Sequence, residues 1–237
     1  MAESIIAFLP CRSGSQRVPQ KNTCDFANID GGLTTIKLNQ LLECSDIKRI
    51  VVSTDDEKVA DIANKIAQER EREIDVVERP VHLATSETST DELIQYVPEI
   101  IESGPVLWAH VTSPFVNAEI YSNAIRAFNK EIRSGEHDSL MSVTKLQTFL
   151  WDENGPVNYD RSKEKWPRTQ TLPEWYEVNS AFFIASISTY LESKDRIGSS
   201  PYLFELEGVE SLDIDWQKDF ILAEKIALVN KELLGNI

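Results

Sequence analysis

The chain has 237 residues, enough for one large α/β domain or two small ones, and its 41% hydrophobic and 27% charged residues are typical of a globular protein. Its 24 basic and 39 acidic side chains give a net charge of −15, which argues against nucleic acid or an anionic membrane as the main partner. The longest apolar runs, such as residues 5–9, are too short to span a bilayer. No cleavable leader precedes them, and the three cysteines lack zinc-type spacing and suit reduced thiols, so we expect a cytoplasmic protein.

Short β-branched runs alternate with helical periodicity in the first part of the chain. Residues 5–9 and 49–53 predict buried strands, and residues 35–44 between them predict a short helix. Residues 54–57 have the capping-box pattern with Thr54 at the N-cap, and apolar residues at helical spacing follow. The pattern therefore predicts a second helix directly behind the second strand.

The same alternation continues to about residue 144. The further predicted elements are a strand near 75–78, a capping box at 89–92 opening a helix, a strand at 106–111, a helix at 117–129 and a strand at 139–144. Pro98 should kink or shorten the helix in which it lies. Four βα alternations in a row predict an α/β fold with a mostly parallel, doubly wound sheet and helices on both faces.

The alternation stops between about residues 145 and 178. This stretch is rich in loops and carries three of the five tryptophans, and its aromatic content argues against disorder. We interpret it as an excursion that covers a site or forms a subunit interface. The chain then returns to the sheet at 181–185 and ends in a helix over 216–234, which predicts a single domain over residues 1–237.

A cationic loop follows the first predicted strand. Arg12, Arg17 and Lys21 lie there without any acidic neighbour between residues 5 and 24. Ligands of open parallel sheets bind beyond the carboxyl ends of the strands, where this loop lies. Its glycine and serines allow backbone N–H groups to approach a phosphate. On spacing alone, a solvated basic loop is an equally good interpretation.

A pair of carboxylates, Asp213 and Asp215, precedes the last predicted helix. In an extended segment alternate residues face the same side, so both carboxylates point one way. Such like charges are costly unless a divalent cation lies beside them, and carboxylate oxygens suit Mg²⁺. The alternative is a cap cluster for the last helix.

Other polar residues give weaker signals. His110 at the end of a predicted strand is either a site residue or a core histidine, and residues 112–114 are compatible with a simple helix start. Asp55 and Asp56 are more typical of a charged helix N-terminus than of a metal site. The three histidines are scattered without metal-ligand spacing.

Seven motifs, in the same order along the chain, resemble those of the acylneuraminate cytidylyltransferases, or CMP-sialic acid synthetases. They lie at residues 10–22, 51–56, 79–85, 112–114, 167–173, 179–181 and 212–215. The resemblance implies a Rossmann-like nucleotidyltransferase fold of the nucleotide-diphospho-sugar transferase type, usually dimeric. It implies a reaction in which CTP and a 2-keto-3-deoxy sugar acid give a CMP-sugar and pyrophosphate, with Mg²⁺ required.

The resemblance also implies roles for individual residues. The implied catalytic set is Arg12 and Lys21 as phosphate-holding cations with Asp213 and Asp215 as the metal-binding pair. The implied nucleotide-binding set is Arg12, Ser13, Gly14, Ser15, Arg17, Lys21, Asn22, Arg79, Thr88, Ser89 and Thr90. The implied acceptor-binding set is His110, Arg168, Gln170, Asn179 and Phe183.

Two residues depart from the pattern of the family. Gln16 stands where the family often has Lys, which removes one phosphate cation that Arg17 is placed to replace. His110 stands where the family often has Gln, at a position associated with the acceptor sugar. Asn22 favours the nine-carbon, sialate-like branch over the eight-carbon octulosonate branch. A nucleotidyltransferase with another acceptor, or a non-catalytic nucleotide-binding module, are the alternatives.

Overall fold

The structure is a computed structural model that describes residues 4–236. Its strands are β1 Ile5–Cys11, β2 Ile47–Thr54, β3 Ile74–Glu78, β4 Pro105–Ala109, β5 Ser139–Leu146, β6 Trp151–Asp152, β7 Gly155–Pro156, β8 Trp175–Ser186 and β9 Pro201–Glu205. Its α-helices are α1 Gly32–Glu43, α2 Glu57–Arg70, α3 Thr90–Ile100, α4 Ala118–Ser134, α5 Ile187–Ser193 and α6 Gln217–Val229. The alternation of strands and helices up to β5 is the one that the periodicity predicts.

Seven strands form one sheet in the order β3-β2-β1-β4-β8-β5-β9. The neighbours β3-β2, β2-β1, β1-β4 and β5-β9 are parallel, whereas β8 runs antiparallel to both β4 and β5. The predicted, mostly parallel sheet is therefore confirmed, with β8 as the exception. The chain moves outward from β1 through β2 to β3 and then returns to place β4 on the other side of β1. This reversal opens a crevice at the carboxyl ends of β1 and β4, the usual ligand position in such sheets.

Helices cover both faces of the sheet, as predicted. Alternate residues of β1 show this directly, because Ala7 and Leu9 join one buried cluster while Phe8 joins the other. The first cluster contains apolar residues of α1, α2, α4 and α6, and the second contains those of α3 and α5. Trp108 of β4 anchors the second cluster, with its ring 4.9 Å from that of Phe8 in an edge-on arrangement.

The predicted N-cap of the second helix is wrong. Thr54 is the last residue of β2, where it pairs with β1 and β3, so its backbone is committed to the sheet. The cap of α2 is Asp56, whose side chain accepts from the backbone N–H of Lys58 at 3.0 Å. The second capping box is confirmed, with Ser89 and Glu92 bonded reciprocally at the start of α3.

Several predicted boundaries also differ from the structure. The strand predicted at 106–111 ends at Ala109, which is the last residue of β4 that pairs with β8, opposite Phe182. The helix predicted at 117–129 runs to Ser134. The helix predicted at 216–234 ends at Val229, and a separate 3₁₀ turn follows. Pro98 lies inside its helix, which continues to Ile100, so its predicted effect on this helix stays a prediction. The strand β9 and the helix α5 were not predicted.

The excursion is built on long extensions of β5 and β8 rather than on loops alone. Leu146 pairs with Trp175, so the strand predicted to restart at 181 begins six residues earlier. Beyond these ends lies the small β6-β7 hairpin, and the rings of Trp151 and Trp166 stack with their centroids 6.3 Å apart. The side chain of Trp166 is 62% exposed, which leaves an aromatic surface on the excursion.

Within residues 4–236 we find no helix with the length and apolar character needed to cross a membrane.

The start of α1 holds the cationic loop from behind. The backbone N–H and the hydroxyl of Thr34 both donate to the Asn22 carbonyl, at 2.9 and 2.8 Å. This approach depends on Gly32, which has a φ of +50° and lies against the carbonyl of Cys24. A Cβ atom at Gly32 would stand 1.9 Å from that oxygen.

Replacing Gly32 by Ala should therefore destabilise the fold by more than about 2 kcal/mol, since a left-handed backbone and a backbone clash add together. Thermal unfolding measures this loss. The matched control is Gly135→Ala, which also has a positive φ but open space around it, and should cost only about 1 kcal/mol. Equal losses in the two variants would contradict the packing argument.

Candidate active site

The cationic loop, residues 12–22, is held in place by a carboxylate and an amide. The backbone N–H of Ser13 donates to Asp55 at 2.9 Å, and the hydroxyl of Ser13 donates to the other oxygen of the same carboxylate. The side chain of Asn22 donates to the Arg12 carbonyl at 3.1 Å. Asp55 is thus a support of the loop rather than a charge at the N-terminus of α2, a role that falls to Asp56 and Glu57.

A cavity of about 320 Å³, the cationic cavity, lies over this loop. It is lined by Arg12, Ser15, Gln16, Arg17, Val18 and Lys21 from the loop, with Ser86 and Asp215 opposite. Arg17 forms an ion pair with Asp215 at 2.8 Å and lies 4.7 Å from the ring centroid of Trp216. Both partners of this pair are about half exposed, so it contributes little stability and leaves Arg17 free to exchange Asp215 for an anion.

Lys21 joins the cationic loop to the carboxylate pair. Its ammonium donates at 2.7 Å to the carbonyl of Ile214, the residue between Asp213 and Asp215. Burial lowers the pKa of Lys21, and the charges of Asp213 and Asp215 oppose this effect in part. The two features that the sequence analysis singled out, 193 residues apart, thus meet at one place.

The carboxylate pair has the predicted geometry. Ile214 is buried in the core, its N–H donates to the Thr112 carbonyl at 2.9 Å, and Asp213 and Asp215 on either side line one cavity. The cap cluster that the sequence left as the alternative belongs to Asp219, which accepts from the Trp216 N–H at 2.8 Å. The pair is therefore not needed as a cap, and Asp215 is instead held in its exposed ion pair with Arg17, which an incoming ligand can replace.

Asp213 is the more buried member of the pair. Burial raises the pKa of Asp213, and the nearby charge of Asp215 raises it further, against the lowering effects of Thr112 and Lys21. Its Oδ1 atom is buried and has no hydrogen-bond partner among the residues that the structure describes. An unpartnered carboxylate oxygen beside a second carboxylate is a donor set that fits a hard divalent cation such as Mg²⁺.

A second cavity, the acidic cavity, has a volume of about 400 Å³ and adjoins the first through Asp215. Asn179 and Ser180 of β8 line it together with the carboxylate pair. The Asn179 side chain accepts from the Ser142 hydroxyl at 2.7 Å and donates to the Thr144 hydroxyl at 3.1 Å. These two bonds to β5 fix the amide at the edge of the cavity.

A third cavity, the polar cavity, has a volume of about 240 Å³ and shares Arg12 and Ser86 with the cationic cavity. The predicted site residues that line it are Arg12, Arg79, Thr88, Ser89, Thr90 and His110. Arg79 is only 4% exposed, and its guanidinium donates to the carbonyl and the hydroxyl of Ser53 at 2.7 and 3.3 Å. The fold thus places His110, an implied acceptor residue, beside implied nucleotide residues.

Some of the predicted residues lie outside these three cavities. Arg168 and Gln170 are exposed on the excursion. Phe183 is buried in the sheet, beneath the guanidinium of Arg196. Asn22 is largely buried behind the loop. The roles of all the predicted site residues toward a substrate stay predictions. A larger cavity, of about 740 Å³, lies between α1 and the C-terminal turn and is lined by none of the predicted residues.

Sequence reasoning missed several residues that shape the site. Asp55 had a signal, since it lies in one of the seven motifs, but its bond to Ser13 spans 42 residues. Ser86 lies in a loop without a recognisable pattern and still lines two of the cavities. Arg196 approaches His110 from 86 residues away, and no local pattern marks it.

A model of the cytidylyltransferase family matches residues 6–235. The chain belongs to this family. An N-acylneuraminate cytidylyltransferase of Streptococcus agalactiae is 30% identical over 223 residues, which are 91% of this chain and 51% of that protein. A pseudaminic acid cytidylyltransferase of Campylobacter jejuni is 25% identical over 237 residues, 96% of this chain and 97% of that protein. The chain spans about half the length of the streptococcal relative.

The fold of this cytidylyltransferase-family chain is also found in solved structures. CMP:2-keto-3-deoxy-manno-octonic acid synthetase in complex with CTP has a TM-score of 0.63 and 13% identity, over 96% of this chain and 99% of that one. The predicted Rossmann-like nucleotidyltransferase fold is therefore confirmed, as is the resemblance to the acylneuraminate cytidylyltransferases.

The raised pKa of Asp213 predicts a stabilising substitution. In metal-free protein at pH 7, Asp213→Asn should raise the Tm by about 2–4 °C, the shift that ~1 kcal/mol produces in a chain of this size. The amide removes a buried charge that burial and Asp215 both disfavour. Asp61→Asn, on the exposed side of α2, is the control and should leave the Tm unchanged.

Added Mg²⁺ should reverse this order by raising the Tm of the wild type more than that of Asp213→Asn. Scanning calorimetry with and without the ion measures both effects. A lower Tm of the variant without metal would show that the ionised Asp213 stabilises the fold instead.

Proposed function

We propose that this protein is a cytidylyltransferase that joins CTP to a 2-keto-3-deoxy sugar acid and releases pyrophosphate. The main support is the meeting of the cationic loop and the carboxylate pair at the Lys21–Ile214 hydrogen bond, with cavities on both sides of it. Family membership and relatives named for two related sugar acids point to the same reaction. A cytoplasmic location belongs to this proposal, since CTP is supplied inside the cell and the three cysteines are free thiols.

The reaction asks little covalent chemistry of the protein. The anomeric hydroxyl of the sugar attacks the α-phosphorus of CTP, a P–O bond forms, the bond to the β-phosphate breaks, and the hydroxyl loses its proton. Negative charge grows on the phosphate oxygens during this exchange, so fixed cations stabilise the transition state. Arg12, Arg17 and Lys21 line the cavity where the triphosphate would lie. Ser15 lines the same cavity, while Gly14 and Ser13 precede it in the loop, where the Ser13 N–H is bonded to Asp55.

Asp213 and Asp215 would hold Mg²⁺ in this proposal. When bound, the ion supplies positive charge to the phosphate oxygens and relieves the repulsion between the two carboxylates. Lys21 has a second duty here, because its bond to the Ile214 carbonyl fixes the segment that carries the pair.

The polar cavity is placed to receive the nucleoside of CTP. Arg79 forms its buried wall, while Thr88, Ser89 and Thr90 line the opening where α3 begins. Asn22 reaches the nucleotide only through the Arg12 carbonyl that it holds, unless the loop moves on binding.

The sugar acid would enter from the excursion side. Asn179 lines the acidic cavity next to Glu177 and Val178 of the excursion, whereas His110 lines the polar cavity. On the excursion itself, Arg168 provides an exposed guanidinium that can bind a carboxylate with two hydrogen bonds, and Gln170 is exposed two residues further on. Phe183, whose ring lies beneath the Arg196 guanidinium, belongs to the acceptor side in this proposal. The nine-carbon class is the favoured acceptor, on the sequence signal at Asn22 and the names of the relatives. An eight-carbon acid is the second candidate.

The direct test is pyrophosphate release from each nucleoside triphosphate with a panel of eight- and nine-carbon ulosonic acids. We expect release with CTP, Mg²⁺ and a nine-carbon acid. Asp215→Asn should lower kcat by about 10²- to 10³-fold, as for other groups that hold transition-state charge, while CTP binding by calorimetry changes far less. Tight CTP binding without release from any pair would favour a non-catalytic nucleotide-binding module.

We also propose that the protein is a homodimer through the excursion. The exposed aromatic surface around Trp151 and Trp166 supports this, because such a surface is unfavourable in water unless a partner covers it. Light scattering should give twice the chain mass of 26.9 kDa. Trp166→Ser should shift the protein to monomers, whereas Val229→Ser, another exposed apolar residue outside the excursion, should not. A dimeric Trp166→Ser variant would place the interface elsewhere.

A further inference from the structure

Arg196 is a half-buried cation to which the proposed mechanism gives no role. Its guanidinium lies 3.7 Å from the ring centroid of Phe183 and 5.0 Å from that of Trp108. Within residues 4–236 no carboxylate forms a salt bridge with it. The neighbouring Asp195 carboxylate accepts from the backbone N–H of Arg196 instead. Removing a guanidinium from water costs free energy unless the group is paired and hydrogen-bonded within the protein.

The polar partner of this guanidinium is His110. Nη1 of Arg196 lies 3.4 Å from Nε2 of His110, within hydrogen-bonding range. A guanidinium only donates hydrogen bonds, so Nε2 must be the acceptor and therefore carries no proton. The bond is incompatible both with the Nε2–H form of the ring and with a charged imidazolium.

The electrostatic environment agrees with this geometry. Burial lowers the pKa of His110 to about 3, and the positive charges of Arg196, Lys37 and Lys21 act in the same direction. The ring is therefore neutral at physiological pH and holds a single proton. With Nε2 occupied by Arg196, that proton lies on Nδ1.

We propose that Arg196 is a positioning residue that holds His110 in its Nδ1–H form, so that His110 offers the polar cavity a fixed hydrogen-bond donor. The donor is suited to an oxygen of a bound substrate, such as a carboxylate, carbonyl or hydroxyl oxygen. This proposal rests on the proposed function for the identity of that substrate. An amide side chain at this position offers both a donor and an acceptor, whereas His110 held by Arg196 offers the donor alone.

The first experiment needs no substrate. The chain has three histidines, and ¹⁵N spectra of their ring nitrogens distinguish the two neutral forms; the signals that disappear in His110→Gln belong to His110. We expect the Nδ1–H form in the wild type and a shift toward the Nε2–H form in Arg196→Met. Arg126→Met, which removes an exposed guanidinium from α4, should leave the signals unchanged. An Nε2–H ring in the wild type overturns the proposal.

The second experiment asks whether the donor matters for a substrate. Arg196→Met should raise the KM for the sugar acid, or the Kd for CTP, by about five- to tenfold with little change in kcat, as for the loss of one oriented hydrogen bond. Calorimetry with CTP alone and kinetics with varied sugar acid show which substrate the donor meets. In the His110→Gln background the same substitution should have no further effect, because the Gln amide has no tautomer to fix.

An equal effect of Arg196→Met in both backgrounds would mean that Arg196 acts through packing and not through His110. Arg196→Gln, whose neutral amide can accept as well as donate and so no longer dictates the tautomer, serves if the Met variant does not fold. The spectra of the wild type decide the tautomer even if no pyrophosphate is released, so a failure of the proposed function and a failure of this inference are distinguishable.

Discussion

Lys21 occupies the position on which the rest of the site depends, since its hydrogen bond to the Ile214 carbonyl joins the first loop of the chain to one of its last segments. Each side of this contact is energetically unfavourable without the other. A buried ammonium loses hydration, and two carboxylates flanking one residue repel each other. Brought together, each lowers the cost of the other, and the resulting groove has a positive side and a negative side within one ligand's length.

The site also solves a problem set by the composition. A chain with a net charge of −15 repels a nucleoside triphosphate at long range, and screening in salt confines that repulsion to short distances. The three cations of the loop act at those short distances, inside a cavity where water screens their charges less than it does in bulk solution. Global charge and local charge therefore act differently: the first disfavours polyanions such as nucleic acids, and the second makes one cavity favourable for the triphosphate of the proposed reaction.

Much of this arrangement follows from the sequence. The parts that do not follow from it have one cause in common. Apolar periodicity predicts the first five strands of the sheet and the helices between them, because each of those elements buries one local stripe. The motifs at Arg12 and Asp213 predict the two halves of the groove. The place of Thr54 in β2, the early start of β8 at Trp175 and the pairing of Arg196 with His110 depend instead on partners far along the chain. Local patterns carry no information about such partners.

The antiparallel strand β8 has a consequence for how the protein is made. It pairs with β4 on one side and β5 on the other, although it follows both in the chain. While a ribosome is still translating the excursion, β4 and β5 therefore have free hydrogen-bonding edges in a partly folded nascent chain, and such edges invite association with other chains. The gap between β4 and β5 closes only when residues 175–186 have emerged, so the time that the chain takes to reach this strand sets how long these edges stay exposed.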